Sequence, residues 1–130
     1  MSHFTKVATK IQNLTHLLQA LERMNVKYKQ GQVQVRGYRG QKTQADVIIE
    51  GKNYDIGIVK NEDNSYSFIA DWEFVEYETG IKEEEFMEQV QQQYAYVTVT
   101  EACKEQGYEL TEQVDEKTQE IKLVATKWEG

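Results

Sequence analysis

Carboxylates are the side chains of this 130-residue chain whose placement could do chemistry. Asp46 and Asp55 stand in successive stretches of alternating apolar and polar residues, which puts them on neighbouring strands of a meander. Asp71 and Glu73 are two residues apart and would share one face of a later strand. Carboxylates gathered in this way could bind a divalent cation through oxygen. They could also split their pKa values and divide acid and base roles, because two like charges held close do not both ionise easily. Asp46, Asp55 and Asp71 are therefore the catalytic candidates. The competing reading makes them a solvated outer sheet face, with Asp46 capping a turn.

Other signatures lead to structure rather than chemistry. Gly37-Tyr38-Arg39-Gly40-Gln41-Lys42-Thr43 ends in Gly-x-Lys-Thr but lacks the four-residue spacer of a P-loop. It lies between two strand-like stretches, with no following helix whose N-terminus could hold phosphate, so it reads as a hairpin turn. His3, His16 and Cys103 are scattered, and the sequence contains no CxxC or HExxH pair, so neither a metal site nor a cofactor is expected. Cys103 is the only cysteine, which excludes an internal disulfide and fits a reducing compartment.

The remaining candidates are basic. Lys27, Lys29, Arg36, Arg39 and Lys42 are interleaved with Tyr28 and Tyr38 and with no acid, a pattern that suits single-stranded nucleic acid. The whole chain opposes that use, with a net charge of −7 and a pI near 4.9. Residues 1–45 hold eight bases and one acid, net +7, whereas residues 46–130 hold seven bases and 21 acids, net −14. Such a split is met by pairing within the fold or by presenting two charged faces. An acidic protein partner docking on Lys27, Lys29, Arg36, Tyr38, Arg39 and Lys42 is the preferred reading over nucleic acid. The segment 71–88, with eight acids against Lys82, is a solvated helix start or the complement of a basic partner.

These residues need elements to position them. His3 to Ile11 alternates as a first strand. Asn13 stands at an N-cap, followed by Leu14, Leu17, Leu18, Leu21 and Met24 at helical spacing, with His16 on the opposite, wet face. Period-two stretches then run through Val33 and Val35, Ala45 to Ile49, Tyr54 to Ile58, and Tyr66, Phe68, Ala70, Trp72 and Phe74. The turns between them are too short for parallel crossovers. Gly80 breaks the chain, and Glu83-Glu84-Glu85 suits the positive end of a second helix. That helix carries Phe86, Val90, Tyr94 and Val97 and stops at Gly107, despite strand propensity across 94–100. Two closing strands are expected around 108–114 and 120–127. The sum is one α+β domain over residues 1–130, in the order β-α-β-β-β-β-α-β-β. It is a twisted antiparallel sheet with two amphipathic helices packed on one face. Apolar runs are too short for a membrane span, and residues 1–6 lack the apolar core of a secretory signal.

Several short fragments carry a likeness: Met1 to Val7, Gly37-Tyr38 with Gly40-Gln41-Lys42, Ala45-Asp46, Tyr54-Asp55-Ile56-Gly57, Ala70-Asp71, Tyr94-Ala95-Tyr96 and Gly107. In that order the chain resembles the hypothetical chloroplast open reading frame thirty-five family, a family of unknown function. The resemblance implies a photosynthetic lineage, with the protein in a cyanobacterial cytoplasm or a plastid stroma, and it transfers no catalytic or ligand residue. The expected function is a non-enzymatic partner-binding or accessory module, with a protein as partner and a homo-oligomer left open. The alternatives are a small enzyme or metal-assisted site on the sheet carboxylates and, further off, a single-strand nucleic-acid binder.

Overall fold

The computed structural model describes residues 3–127 as seven strands and three helices. In chain order these are β1 (Thr5–Ala8), α1 (Leu14–Arg23), β2 (Lys29–Arg36), β3 (Lys42–Ile49), β4 (Ile56–Lys60), β5 (Tyr66–Ala70), α2 (Trp72–Thr79), α3 (Glu83–Glu105), β6 (Tyr108–Val114) and β7 (Ile121–Lys127). The first five strands form an antiparallel sheet in the order β1-β5-β4-β3-β2, and β6 and β7 pair as a separate ribbon. The α+β class and the antiparallel pairing are as the sequence pattern implies.

Helix α1 begins where Asn13 Oδ1 accepts from His16 N at 3.0 Å. It buries Leu17, Ala20 and Leu21 completely, while Leu14, Leu18 and Met24 pack half-buried on the core. Helix α3 runs through the strand-prone segment 94–100, because Val90 and Val97 bury on one face against α1 and tertiary packing outweighs local propensity. Gly107, at φ +84, closes it, with its N–H donating to Lys104 O at 3.0 Å. The core joins these helices to one sheet face: Val47, Ile56, Ile58, Phe68 and Ala70 meet Leu17, Leu21, Val75, Phe86, Met87 and Val90.

Three expectations are corrected. The last strand of the meander stops at Ala70, and Trp72–Thr79 is a helix, so Asp71 and Glu73 do not share a strand face. The signals were present in Glu73 at the first turn and in Gly80, which takes the left-handed C-cap at φ +76. His16 is not on a wet face: it is half-buried between α1 and α3, with Nδ1 3.2 Å from Thr98 Oγ1. The first strand covers Thr5–Ala8 rather than His3 to Ile11.

The β2–β3 hairpin bends. Its register shifts between Gln30 and Val33, where Gly31 has φ +116, and a bulge of this kind bends a strand. Although β3 separates β2 from β4 in the sheet, Arg36 O accepts from Asp55 N at 3.1 Å, so the hairpin's far end curls back towards β4. Val35, Ala45 and Ile48 form a second small core there, with Phe4, Val33 and Val59 packed on it.

Candidate functional site

Everything at the candidate site depends on where that curled hairpin is pinned. Asp55, just before β4, is 1% exposed. Its Oδ2 accepts from Arg36 N and Arg36 Nε, both at 2.8 Å, and its Oδ1 from Arg36 Nη2 at 2.8 Å and Gly51 N at 3.0 Å. Arg36 Nη2 also donates to Gly51 O at 2.7 Å. Burial pushes the Asp55 carboxyl up, yet hydrogen bonds from the Arg36 side chain and the Arg36 and Gly51 N–H groups, with the Arg36 charge, hold it below the usual carboxylate value. A bidentate guanidinium–carboxylate pair with extra backbone donors is a fixed joint.

Two residues further on, the tip is pinned again. The Tyr38 N–H donates to Asp71 Oδ2 at 3.1 Å. Asp71 is also 1% exposed and stands at the start of α2, where its carbonyl accepts from Phe74 N and Val75 N. At the other end of α2, Glu78 accepts from Asn53 N and Asn53 Nδ2, both at 2.8 Å, and so ties the helix to the turn before β4.

These pins bring together side chains that the sequence spreads over forty positions. Tyr38 stacks on Phe74 with ring centroids 4.2 Å apart and planes 8° from parallel. Phe74 meets Tyr54 at 5.2 Å and, edge-on, Tyr77 at 6.4 Å. The Arg39 guanidinium lies 5.2 Å from the Tyr38 ring centroid. Tyr77 is 85% exposed, Tyr38 and Phe74 are half-buried, and none of these three belongs to either core cluster. Arg39 has φ +56, in the left-handed region that favours glycine, at a cost of roughly 1–2 kcal/mol. A non-glycine residue held there, over a half-buried ring, is the kind of outlier that points towards function.

The three candidate aspartates are held by different partners. Asp55 and Asp71 lie inside the fold as acceptors for the hairpin, contrary to a solvated sheet face. Asp46 is exposed, and its Oδ2 accepts from Lys60 N at 3.0 Å. Among the described residues no group of three or more His, Cys, Asp or Glu side chains is arranged to hold a metal. Of the basic candidates, Arg36 is committed to Asp55, and Lys29 Nζ reaches Glu50 at 2.8 Å on the surface. Lys27, Arg39 and Lys42 are exposed, and Tyr38 is placed in the aromatic run. The pattern missed Phe74 and Tyr77, because a strand reading of 66–74 put Phe74 into the core. Their i, i+3 spacing beside Gly80 was the available signal.

Comparison with known proteins gives a family rather than an activity. Residues 20–124 match a family model described as "Protein of unknown function (DUF1257)". Proteins named "Uncharacterized protein ycf35" align over 129 residues, covering 98% of this chain and 98% of each relative. They come from Cyanophora paradoxa at 36% identity, Pyropia yezoensis at 33% and Guillardia theta at 31%. No solved structure matches the chain.

Proposed function

The chain belongs to this DUF1257 family, which includes the ycf35 proteins, and from that premise we propose that it is a non-enzymatic module that binds a protein partner. The observation that carries the reading is the surface run Arg39–Tyr38–Phe74–Tyr77, exposed at its two ends and half-buried between them, and held in place by Asp55 and Asp71. Tyrosine and arginine on a rigid support are the residues that dominate protein interfaces, because they bury large area at small entropic cost. Four fragments of the family resemblance, Gly37-Tyr38, Gly40-Gln41-Lys42, Tyr54 to Gly57 and Ala70-Asp71, belong to this hairpin tip and the groups that fix it. The enzyme alternative loses support, since Asp55 is occupied by four donors and offers no lone pair suited to proton transfer.

Nucleic acid suits the surface less well than protein. Tyr38 and Phe74 are already stacked on each other, and Tyr77 shares its helix with Glu73, Glu76 and Glu78, whose charges repel phosphate. The module would act in a cyanobacterial cytoplasm or a plastid stroma, as the family resemblance implies. The test compares the tagged wild-type protein with Tyr77→Ala and Arg39→Glu as bait in a lysate of the source cell, read by quantitative mass spectrometry. At least one protein should be retained by the wild type and reduced more than tenfold by each variant, with melting temperatures unchanged. Equal recovery on all three baits would remove the aromatic run from the interface, and a ribonuclease-sensitive signal would return the nucleic-acid reading.

A further inference from the structure

Tyr54 also borders a partly open hollow at the edge of the core. A cavity of about 180 Å³ lies between the β3–β4 end of the sheet, α2 and the start of α3. Its principal walls are Ile49, Tyr54, Ile56, Trp72, Val75 and Phe86. Several of the polar groups bordering it are engaged elsewhere. Trp72 Nε1 donates to Thr5 O at 2.9 Å, and Thr79 Oγ1 donates to Val75 O and accepts from Ile81 N. Gly51 N and O are held by Asp55 and Arg36, and Glu50 pairs with Lys29. Ile81, 46% exposed in the segment between α2 and α3, stands at the rim and gives the cavity a route to solvent.

We infer that this cavity is a binding site for a small, uncharged, aromatic or branched apolar group. The volume sets the size, since apolar cavities of about 150 Å³ in other proteins stay dry and take up benzene. The wall sets the class. Aromatic faces from Tyr54, Trp72 and Phe86 favour an aromatic guest, whereas an anionic guest would lose its hydration and meet the like charge of Glu50, and a cationic one would find that carboxylate already paired with Lys29. Water there is readily displaced, because it needs two to four polar partners and the Gly51 backbone, the Thr79 hydroxyl and the Trp72 indole N–H are already committed. The site is separate from the docking run on α2, so either can fail without the other.

The probes are benzene, indole and benzoate, followed by NMR of the Ile49, Ile56 and Val75 methyl groups in the full-length protein. Benzene and indole should give saturable shifts and intermolecular contacts at these methyls, and benzoate, the same ring with a charge, should give none. The filled variant Ile49→Phe should bind both probes at least tenfold more weakly. Should Ile49→Phe not fold, Ile81→Trp, at the exposed rim, should slow or block entry instead. Absence of saturable shifts in the wild type overturns the site. Benzoate binding as well as benzene overturns the ligand class. Undiminished binding by a folded Ile49→Phe protein, or an unchanged rate of probe exchange in Ile81→Trp, places the probe elsewhere and also overturns the site.

Discussion

Asp55 shows how one carboxylate can be read two ways and then settled by its partners. Its four donors come from Arg36 and Gly51, so Asn in its place would turn an amide N–H₂ towards groups that are themselves donors. Breaking a buried pair costs about 3–5 kcal/mol, and that is an upper limit here because Arg36, 42% exposed, can turn to water. Asp55→Asn should therefore lower stability at pH 7 by about 2–4 kcal/mol in urea unfolding. The pH dependence has a fixed sign. The folded-state carboxyl titrates below its unfolded value near 3.9, so the stabilisation is complete above about pH 4–5 and is lost as pH falls through the lower folded value. Wild-type melting temperature should fall over that acid range, and the Asn variant should fall less steeply. Parallel curves would mean that the pair contributes little. Arg36 carries the matching lesson: in the sequence it is one of five bases in a patch, and only the bend of the hairpin reveals that it is internally committed.

At the scale of elements, the bend itself makes the sharpest prediction. Gly57 on β4 has no room for a side chain: a Cβ would sit 2.4 Å from Val35 Cγ2, 2.8 Å from Ala45 Cβ and 3.0 Å from Ile69 Cγ2. Gly57→Ala must push the curled hairpin off the sheet, at a cost of about 1–3 kcal/mol, and should disturb the Tyr38–Phe74 stack. An unchanged melting temperature would show that the hairpin yields freely. On α1 the contrast is between neighbours. Leu17, fully buried, should cost about 2–5 kcal/mol on truncation to Ala, and Leu18, half-buried, distinctly less. Period and caps made α1, α3 and the meander legible in the sequence, because Asn13, the leucine spacing, Gly107 and the short turns are local signals. Helix α2 reads as strand, since the strand propensity of Trp72, Phe74 and Tyr77 in a segment of only eight residues outweighs the weaker signals of Glu73 and Gly80. The candidate site was half legible. Tyr38, Asp55 and Asp71 could be singled out by type, but a bulge and a fold-back decide what they touch, and those act through contacts far apart in sequence.

Across the whole molecule, stability is unevenly distributed. Among the described residues three ion pairs join the basic and acidic parts of the chain: Arg23–Glu112, Lys29–Glu50 and Arg36–Asp55. The first ties the β6–β7 ribbon to α1, and Arg23 also stacks 3.6 Å over Tyr96 of α3. Both partners of that pair are over a third exposed, and such pairs contribute only about 0–1 kcal/mol. Strand β6 also packs on α3, where Glu112 meets the Tyr96 hydroxyl, but the ribbon contributes no fully buried residue. Its Leu110, Leu123 and Val124 are half-buried, and Val114 and Ile121, paired across the strands, are 53% and 38% exposed. Two-stranded ribbons are marginally stable on their own. Strands β4 and β5, by contrast, lie in the centre of the sheet and carry Ile58, Phe68 and Ala70 with no exposure. Amide hydrogen exchange should therefore separate the two sheets. Amides of β4 and β5 should exchange only through global unfolding, with rates that rise steeply with urea, whereas those of β6 and β7 should exchange at least a hundredfold faster with little urea dependence. Arg23→Ala should speed β6–β7 exchange further and leave β4–β5 almost unchanged, because the loss falls on the ribbon's own anchorage. Equal protection in both sheets would show that the ribbon and the body unfold as one cooperative unit, and that the contacts of Arg23, Tyr96 and Glu112 couple them more tightly than their exposure implies.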